Sequence, residues 1–275
     1  MRFDSVVFAD SASLAALSCL SRLRSERDAG RAALLIALSD AAGAEVIGAR
    51  GLATVRRLEE LEAAHDVSTQ PWRERISLLV RRFDPEHVMA PLGLLGAPQA
   101  IDYFKTLRAA LSVDRGRDLL FFEERPQCLV PEAVALRLAG LGVRLPPAMQ
   151  LRSPRRYTPF ALRLLTGLGM PPIFGGLRDR SRLSMSLKAS FREVADWDPQ
   201  RALGPKLQPV VGPWGEGDSA DLFSLAGELG HEARLGSKKS FKRRMARHAA
   251  GAGSRAPIER SWLSLPSATV ADPGC

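Results

Sequence analysis

Over residues 1–125, short apolar runs of strand length alternate with segments whose apolar positions recur every three or four residues. Val6-Val-Phe8 is such a run, ends at Asp10, and reads as a first buried strand. Leu14, Leu17, Cys19, Leu20 and Leu23 have helical spacing and predict one helix from Leu14 to Arg24. Ser11 or Ser13 would cap it. Ala32 to Leu38 is a second buried strand, closed by Ser39-Asp40 and a turn at Gly43. Leu52 to His65 predicts a helix with the charged stripe Arg56, Arg57, Glu59, Glu60 and Glu62. Pro71 to Phe83 predicts another, with Pro71 near its first turn. His87-Val-Met-Ala90 is a third strand, stopped by Pro91. A loop from Leu92 to Pro98, a helix from Gln99 to Leu111 and a fourth strand, Asp118 to Phe122, complete the series.

This alternation predicts an α/β fold: a Rossmann-like, mainly parallel sheet flanked by helices. Ligands of such sheets bind at the carboxyl ends of the strands, here Ala9–Ser13, Ser39–Gly43, Pro91–Gln99 and Glu123–Arg125. Beyond residue 150 proline and glycine become frequent and the pattern loosens. Short helices are expected around Pro159–Leu168, Ala220–Gly230 and Ser237–Ala249. The expected organisation is an α/β core over 1–150, a loop-rich C-terminal cap of the same domain over 151–266, and a disordered tail over 267–275.

A chain of 275 residues with 45% hydrophobic content can bury a substantial core. No run approaches the ~18 apolar residues of a membrane-spanning helix, and an N-terminus with Asp4 after one Arg is a poor signal peptide. Cys19, Cys128 and Cys275 share no C-x-x-C spacing, and their odd number argues against a disulfide framework. The cytoplasm is the default location. The net charge of +9 is concentrated in the C-terminal half, at Arg152–Arg156, Arg178–Arg182 and Lys238–Arg247. In the last stretch Phe241, Met245 and Ala249 line one face of a helix. Lys238, Lys239, Lys242, Arg243, Arg244 and Arg247 supply a cationic face suited to an anionic membrane surface or an acidic partner. Packing of that apolar stripe on the domain is the plainer expectation. Nucleic acid is not expected as a partner, because no recognised reading module accompanies the charge.

The sequence holds no G-x-S-x-G elbow, Walker A or G-x-G-x-x-G pattern, and Gly93-Leu-Leu-Gly96 reads as a structural turn. The ordered set of pieces carries more. Val6-Val-Phe8 with Leu17 and Cys19, Ser39-Asp40, Arg56-Arg-Leu-Glu59 with Ala63, Val88-Met-Ala-Pro91 with Gly96 and Pro98, and Phe121-Phe-Glu123 occur in sequence. Trp197–Gln208 and Ile258-Glu-Arg-Ser-Trp262 add fainter echoes. In this order the chain resembles the PIG-L/LmbE superfamily of zinc-dependent N-deacetylases, which act on N-acetylglucosamine units of glycolipids, thiol cofactors and antibiotics. That family carries P-H-P-D-D-E-x-L after its first strand and P-x-x-x-G-x-H-x-D-H after its third.

The resemblance implies the fold, yet the family's functional positions fall on the wrong residue types. Its first His and second Asp bind zinc and align with Ser11 and Leu14; its base aligns with Ser13. The third ligand and the closing His align with Ala97 and Ala100. Leucine and alanine cannot ligate a metal, and a serine hydroxyl is a poor zinc ligand at neutral pH. No metal or other cofactor is therefore expected. His65, His87, His231 and His248 lack metal-site spacing. Asp10, Ser11, Ser13, Asp40, Arg56 and Arg57 remain candidate ligand-binding residues. The start of the first helix, with Arg56 or Arg57, would hold a phosphate, carboxylate or sugar, unless Leu14, Leu94 and Leu95 fill the cleft. The leading reading is a catalytically degenerate deacetylase relative with a binding or scaffolding role in glycan, glycolipid or secondary-metabolite metabolism, for which a sugar or glycolipid is the candidate ligand. A metal-free hydrolase and an anionic-surface binder are the alternatives, the last placing the protein at the inner face of the membrane.

Overall fold

Val, Leu, Ile and Phe build the strands at the centre of the molecule, whose sides are both covered by helices. A computed structural model of the chain describes residues 2–96, 98–111, 117–130, 132–145, 149, 181, 185, 206–212, 214, 217–251, 253–254 and 258–265. The elements run β1 (Ser5–Ser11), α1 (Ala12–Ser18), α2 (Leu20–Asp28), β2 (Ala33–Asp40), α3 (Ala44–Ala49), β3 (Thr54–Arg57), α4 (Leu58–Ala64), α5 (Trp72–Phe83), β4 (His87–Pro91), α6 (Pro98–Leu111), β5 (Asp118–Phe122) and α7 (Ala133–Gly140). They continue with β6 (Leu207–Gly212), α8 (Asp218–Glu228), α9 (Glu232–Leu235), α10 (Lys238–Gly251) and β7 (Glu259–Ser264). Among the described residues the strands form one seven-stranded sheet in the order β3-β2-β1-β4-β5-β7-β6.

The first five strands are parallel. Val6 pairs with Leu34 and Val88, Leu34 with Thr54, and Met89 with Leu120. Val6, Val7, Phe8, Leu35, Ile36, Val88 and Phe121 are buried, as parallel strands covered on both faces require. Ile76, Leu79, Val80 and Phe83 form the buried stripe of α5. The expected α/β class, the four strands and the helices over 71–83 and 99–111 are present.

Three expectations are corrected. The helix predicted from Leu14 to Arg24 is broken at Cys19 into α1 and α2. At the break the Arg125 guanidinium Nη1 donates to the Leu17 carbonyl at 2.9 Å, closing the end of α1. The Glu259 carboxylate accepts from the amides of Ser21 and Arg22, both at 3.0 Å, opening α2. The helix predicted from Leu52 to His65 begins only at Leu58. Thr54 to Arg57 are instead an edge strand on β2, where β-branched Thr54 and Val55 pair with Leu34 and Leu35. Finally, the region read as a loop-rich cap contributes β6 and β7. These two run antiparallel, with Trp262 between Phe121 of β5 and Pro209 of β6. Pro209 and Gly212 weakened the strand pattern, but proline is tolerated on an edge strand such as β6. Helices α8 and α10 match their expectations. The expected helix at 159–168 and the tail at 267–275 lie outside the described residues.

Three stability outcomes follow from this packing. Gly43 has φ +83°, and a Cβ there would stand 2.3 Å from Leu229 Cδ2 and 2.8 Å from Ser13 Oγ. Gly43→Ala should cost about 2–4 kcal/mol in urea unfolding. Gly48→Ala, in α3 with nothing within 4 Å of the new methyl, should be neutral or stabilise by about 0.5–1 kcal/mol. Glu259→Ala would strand the buried Arg125 and two helix amides, and should cost about 3–5 kcal/mol by the same measurement.

Candidate functional site

The carboxyl ends of β1 and β2 lie side by side, with Ser11 paired to Asp40. They bring four of the sequence-predicted residues into one polar cluster. Ser11 Oγ donates to Asp40 Oδ2 at 3.3 Å, and Ser13 Oγ donates to the Ala42 carbonyl at 2.6 Å. Ser39 Oγ bonds the Asp10 carbonyl and its Oδ1, at 3.0 and 2.7 Å. Asp40 Oδ1 accepts the Ala42 amide at 2.8 Å, an Asx turn. Ser11 therefore does not cap α1 through its side chain, contrary to the sequence expectation. Its hydroxyl and that of Ser13 are spent on the β2 end. Ala12 and Ser13, in the first turn of α1, are buried, so this turn is not the open anion site expected there. Ser39 and Asp40 are exposed and Asp10 is half-buried, leaving carboxylate oxygens at the surface.

The remaining predicted residues lie apart from this cluster or are apolar. Leu14 is half-buried, Leu94 and Ala100 are buried, and Leu95 packs partly against the core. Ala97 lies outside the described residues. Arg56 and Arg57 are exposed on β3, opposite Ile36 and Ala37. Among the described residues no hydrogen bond or ion pair joins them to Asp10, Ser11, Ser13 or Asp40.

The basic helix α10 packs as the plainer expectation had it. Phe241, Met245 and Ala249 are buried, and Phe241 meets Phe223 edge to face at 5.2 Å. Lys238, Lys239, Lys242, Arg243 and Arg247 are exposed. Arg244 is not part of that cationic face: it is buried, donating to the Leu235 carbonyl and, at 2.7 Å, to Ser240 Oγ. Among the described residues no helix is long and apolar enough to cross a membrane.

The structure adds residues that the sequence patterns did not single out. Glu124, just past β5, accepts the Gly93 and Leu94 amides on Oε1 at 3.0 and 2.8 Å, holding the loop after β4. Burial pushes its carboxyl up to about 7, against the opposing pull of these amides and of Arg137. Its Oε2 is enclosed without a hydrogen-bond partner. Tyr103 stacks near Phe8 and Trp72, its buried hydroxyl unpartnered. Burial, then the charges of Asp10 and Glu62, raise that phenol. His231, after α8, is close enough to Asp40 to feel its charge, though burial and Arg234 hold its imidazole below the ordinary value.

A second cluster lies where β5 meets β7. Glu123 Oε2 contacts His248 Nε2 at 2.5 Å, while Oε1 accepts from Arg260 Nε at 2.5 Å and Trp262 Nε1 at 2.8 Å. The Arg260 and His248 charges bring the Glu123 carboxyl down to about 2 despite burial, which acts upward. Cys128 completes the group. Burial and nearby Glu123 push its thiol well up, so it is not an activated nucleophile. His248 has no metal-site spacing in the sequence, and no local pattern could show that folding carries it to Glu123.

A zinc site of the type implied by the sequence resemblance does not fit the β1 and β4 ends. Ser11, Ser13, Leu14 and Ala100 offer two hydroxyls already committed elsewhere and two hydrocarbon groups. Among the described residues, Glu123, Cys128 and His248 form the group whose donor atoms converge closely enough for a metal, and it lies at β5 rather than there.

No protein-family model and no curated protein matches the sequence significantly. Solved structures do match. A triple mutant of the deacetylase Orf2 involved in teicoplanin biosynthesis is 12% identical, with 98% of this chain and 100% of that one covered and a TM-score of 0.53. A deacetylase–bog complex from teicoplanin biosynthesis is 10% identical, with coverages of 96% and 99% and a TM-score of 0.52. The A40926 pseudoaglycone deacetylase Dbv21 is 14% identical, with coverages of 97% and 98% and a TM-score of 0.50. At these identities the likeness is one of fold: the chain shares the α/β fold of these deacetylases.

Proposed function

We propose that the chain is a ligand-binding protein on a deacetylase fold rather than a zinc-dependent N-deacetylase. Its ligand class is a sugar derivative, whether glycolipid or glycosylated secondary metabolite. One observation carries this reading: the positions that would hold zinc and the base are hydrogen-bonded inward or apolar, while Asp10 and Asp40 still present carboxylate oxygens at the strand ends. Carboxylates at such an edge suit ligand hydroxyls and amide N–H groups, each a charge-assisted hydrogen bond. The fold neighbours named as deacetylases of teicoplanin and A40926 biosynthesis support the substrate class. A second reading, a metal-free hydrolase at the same edge, is favoured by Glu124, whose near-neutral carboxyl suits general acid–base work.

Two measurements bear on this. Purified protein incubated with N-acetylglucosamine derivatives, with and without added zinc, should release no acetate. Zinc-dependent release would overturn the binding-protein reading. Zinc-independent release that Glu124→Gln abolishes would establish the hydrolase instead. By calorimetry or ligand-observed NMR, the same derivatives should bind, and Asp40→Asn should weaken binding about tenfold or more. Absence of binding to any N-acetylated sugar or glycolipid tested would remove the ligand assignment.

A further inference from the structure

We propose that Glu123, Cys128 and His248 form a site for one zinc-class divalent cation, which fastens α10 to the β5–β7 region of the sheet. The three residues come from separate parts of the structure. Glu123 follows β5, Cys128 sits in the short turn Gln127–Leu129, and His248 belongs to the last turns of α10. A carboxylate oxygen, a sulfur and a ring nitrogen nonetheless lie within 4.8 Å of one another. Donors around tetrahedral zinc stand roughly 3.3–3.8 Å apart, given its usual bond lengths, so an entering ion replaces the 2.5 Å contact between Glu123 Oε2 and His248 Nε2, and those two atoms part by about 1 Å around it. Thiolate, imidazole and carboxylate together suit zinc or cobalt better than a hard cation such as magnesium.

The surroundings are those of an oriented ligand set. Arg260 Nε and Trp262 Nε1 both donate to Glu123 Oε1, which turns Oε2 towards His248. Such outer hydrogen bonds hold the first ligands of a metal in place. With Nε2 facing Glu123, His248 Nδ1 is buried and has no hydrogen-bond partner.

The charge balance limits affinity without forbidding it. On binding, the Cys128 thiol gives its proton to solvent and a sulfur–metal bond forms. The resulting thiolate and the Glu123 carboxylate offset the cation's two charges, and Arg260, 3.4 Å from His248 Nε2 through Nη2, remains as the excess positive charge. The site is therefore weaker than a four-ligand structural zinc site and should yield its ion to a chelator. It is separate from the β1 and β4 positions considered above, so it stands or falls independently of acetyl hydrolysis.

The test is a titration of the chelator-stripped full chain with cobalt(II). One equivalent should bind and give the near-ultraviolet sulfur-to-cobalt charge-transfer band, which zinc then bleaches. Cys128→Ser should lose the band, His248→Gln should weaken binding severely, and Trp262→Phe should weaken it about tenfold. Wild-type protein that gives no such band overturns the proposal, whatever the variants do. A folded Cys128→Ser protein that keeps the full band also overturns it, since another thiol would then be the ligand.

Discussion

A buried pair of opposite charges, Arg125 and Glu259, sets the local course of the chain around Cys19. Arg125 takes the Leu17 carbonyl through its guanidinium and Ser18 Oγ through its backbone amide; Glu259 takes the amides of Ser21 and Arg22. A cation thus sits at the end of one helix and an anion at the start of the next, each matched to the dipole it faces. The two side chains approach to 3.5 Å, and the Arg125 guanidinium also lies over the Trp214 ring at 4.6 Å. Burial pushes the Glu259 carboxyl up, and Arg125 is the largest opposing influence. One charge comes from the end of β5 and the other from β7, so the direction of α2 depends on a strand supplied much later in the sequence.

At the strand ends, hydrogen bonds link Ser11 to Asp40, Ser13 to the Ala42 carbonyl and Ser39 to Asp10. Serine hydroxyls reach only short distances and need well-placed acceptors; Asp40 and the Ala42 carbonyl supply them. The loop after β4 is held from the protein side, by the Glu124 carboxylate on two amides and by Arg137 Nε on the Leu92 carbonyl at 2.9 Å. These contacts give the edge a defined shape, and they leave carboxylate oxygens of Asp10 and Asp40 at its surface.

Much of this was legible in the sequence, for identifiable reasons. Strands buried on both faces read as unbroken apolar runs, so β1, β2, β4 and β5 were recognisable from Val6–Phe8, Ala32–Leu38, His87–Ala90 and Asp118–Phe122. The clustering of Asp10, Ser11, Ser13 and Asp40 followed once their strands were placed side by side. Periodicity failed where a distant partner decided the outcome. Nothing near Cys19 announces a helix break made by Glu259. Thr54–Arg57 pairs along β2, which a local helical stripe cannot reveal. Arg244 carries the same charge as its neighbours but points inward at a backbone carbonyl. Glu124 and His248 owe their environments to the loop after β4 and to β5, and single-sequence spacing has no access to either.

The sheet order has a consequence for how the molecule comes into being. β5 leaves its outer edge to β7, and β7 separates it from β6, although β6 precedes β7 in the chain. During synthesis the five parallel strands are complete by Phe122, while the strand that covers β5 is not made until Glu259–Ser264. A growing or truncated chain thus presents Leu119, Leu120 and Phe121 beside an unpaired backbone edge, a surface prone to pairing with another copy. Native closure waits on contacts of long sequence separation and is correspondingly slow to form. The last strand thereby acts as a folding checkpoint: the β5 edge is covered only when residues 259–264 have emerged and docked.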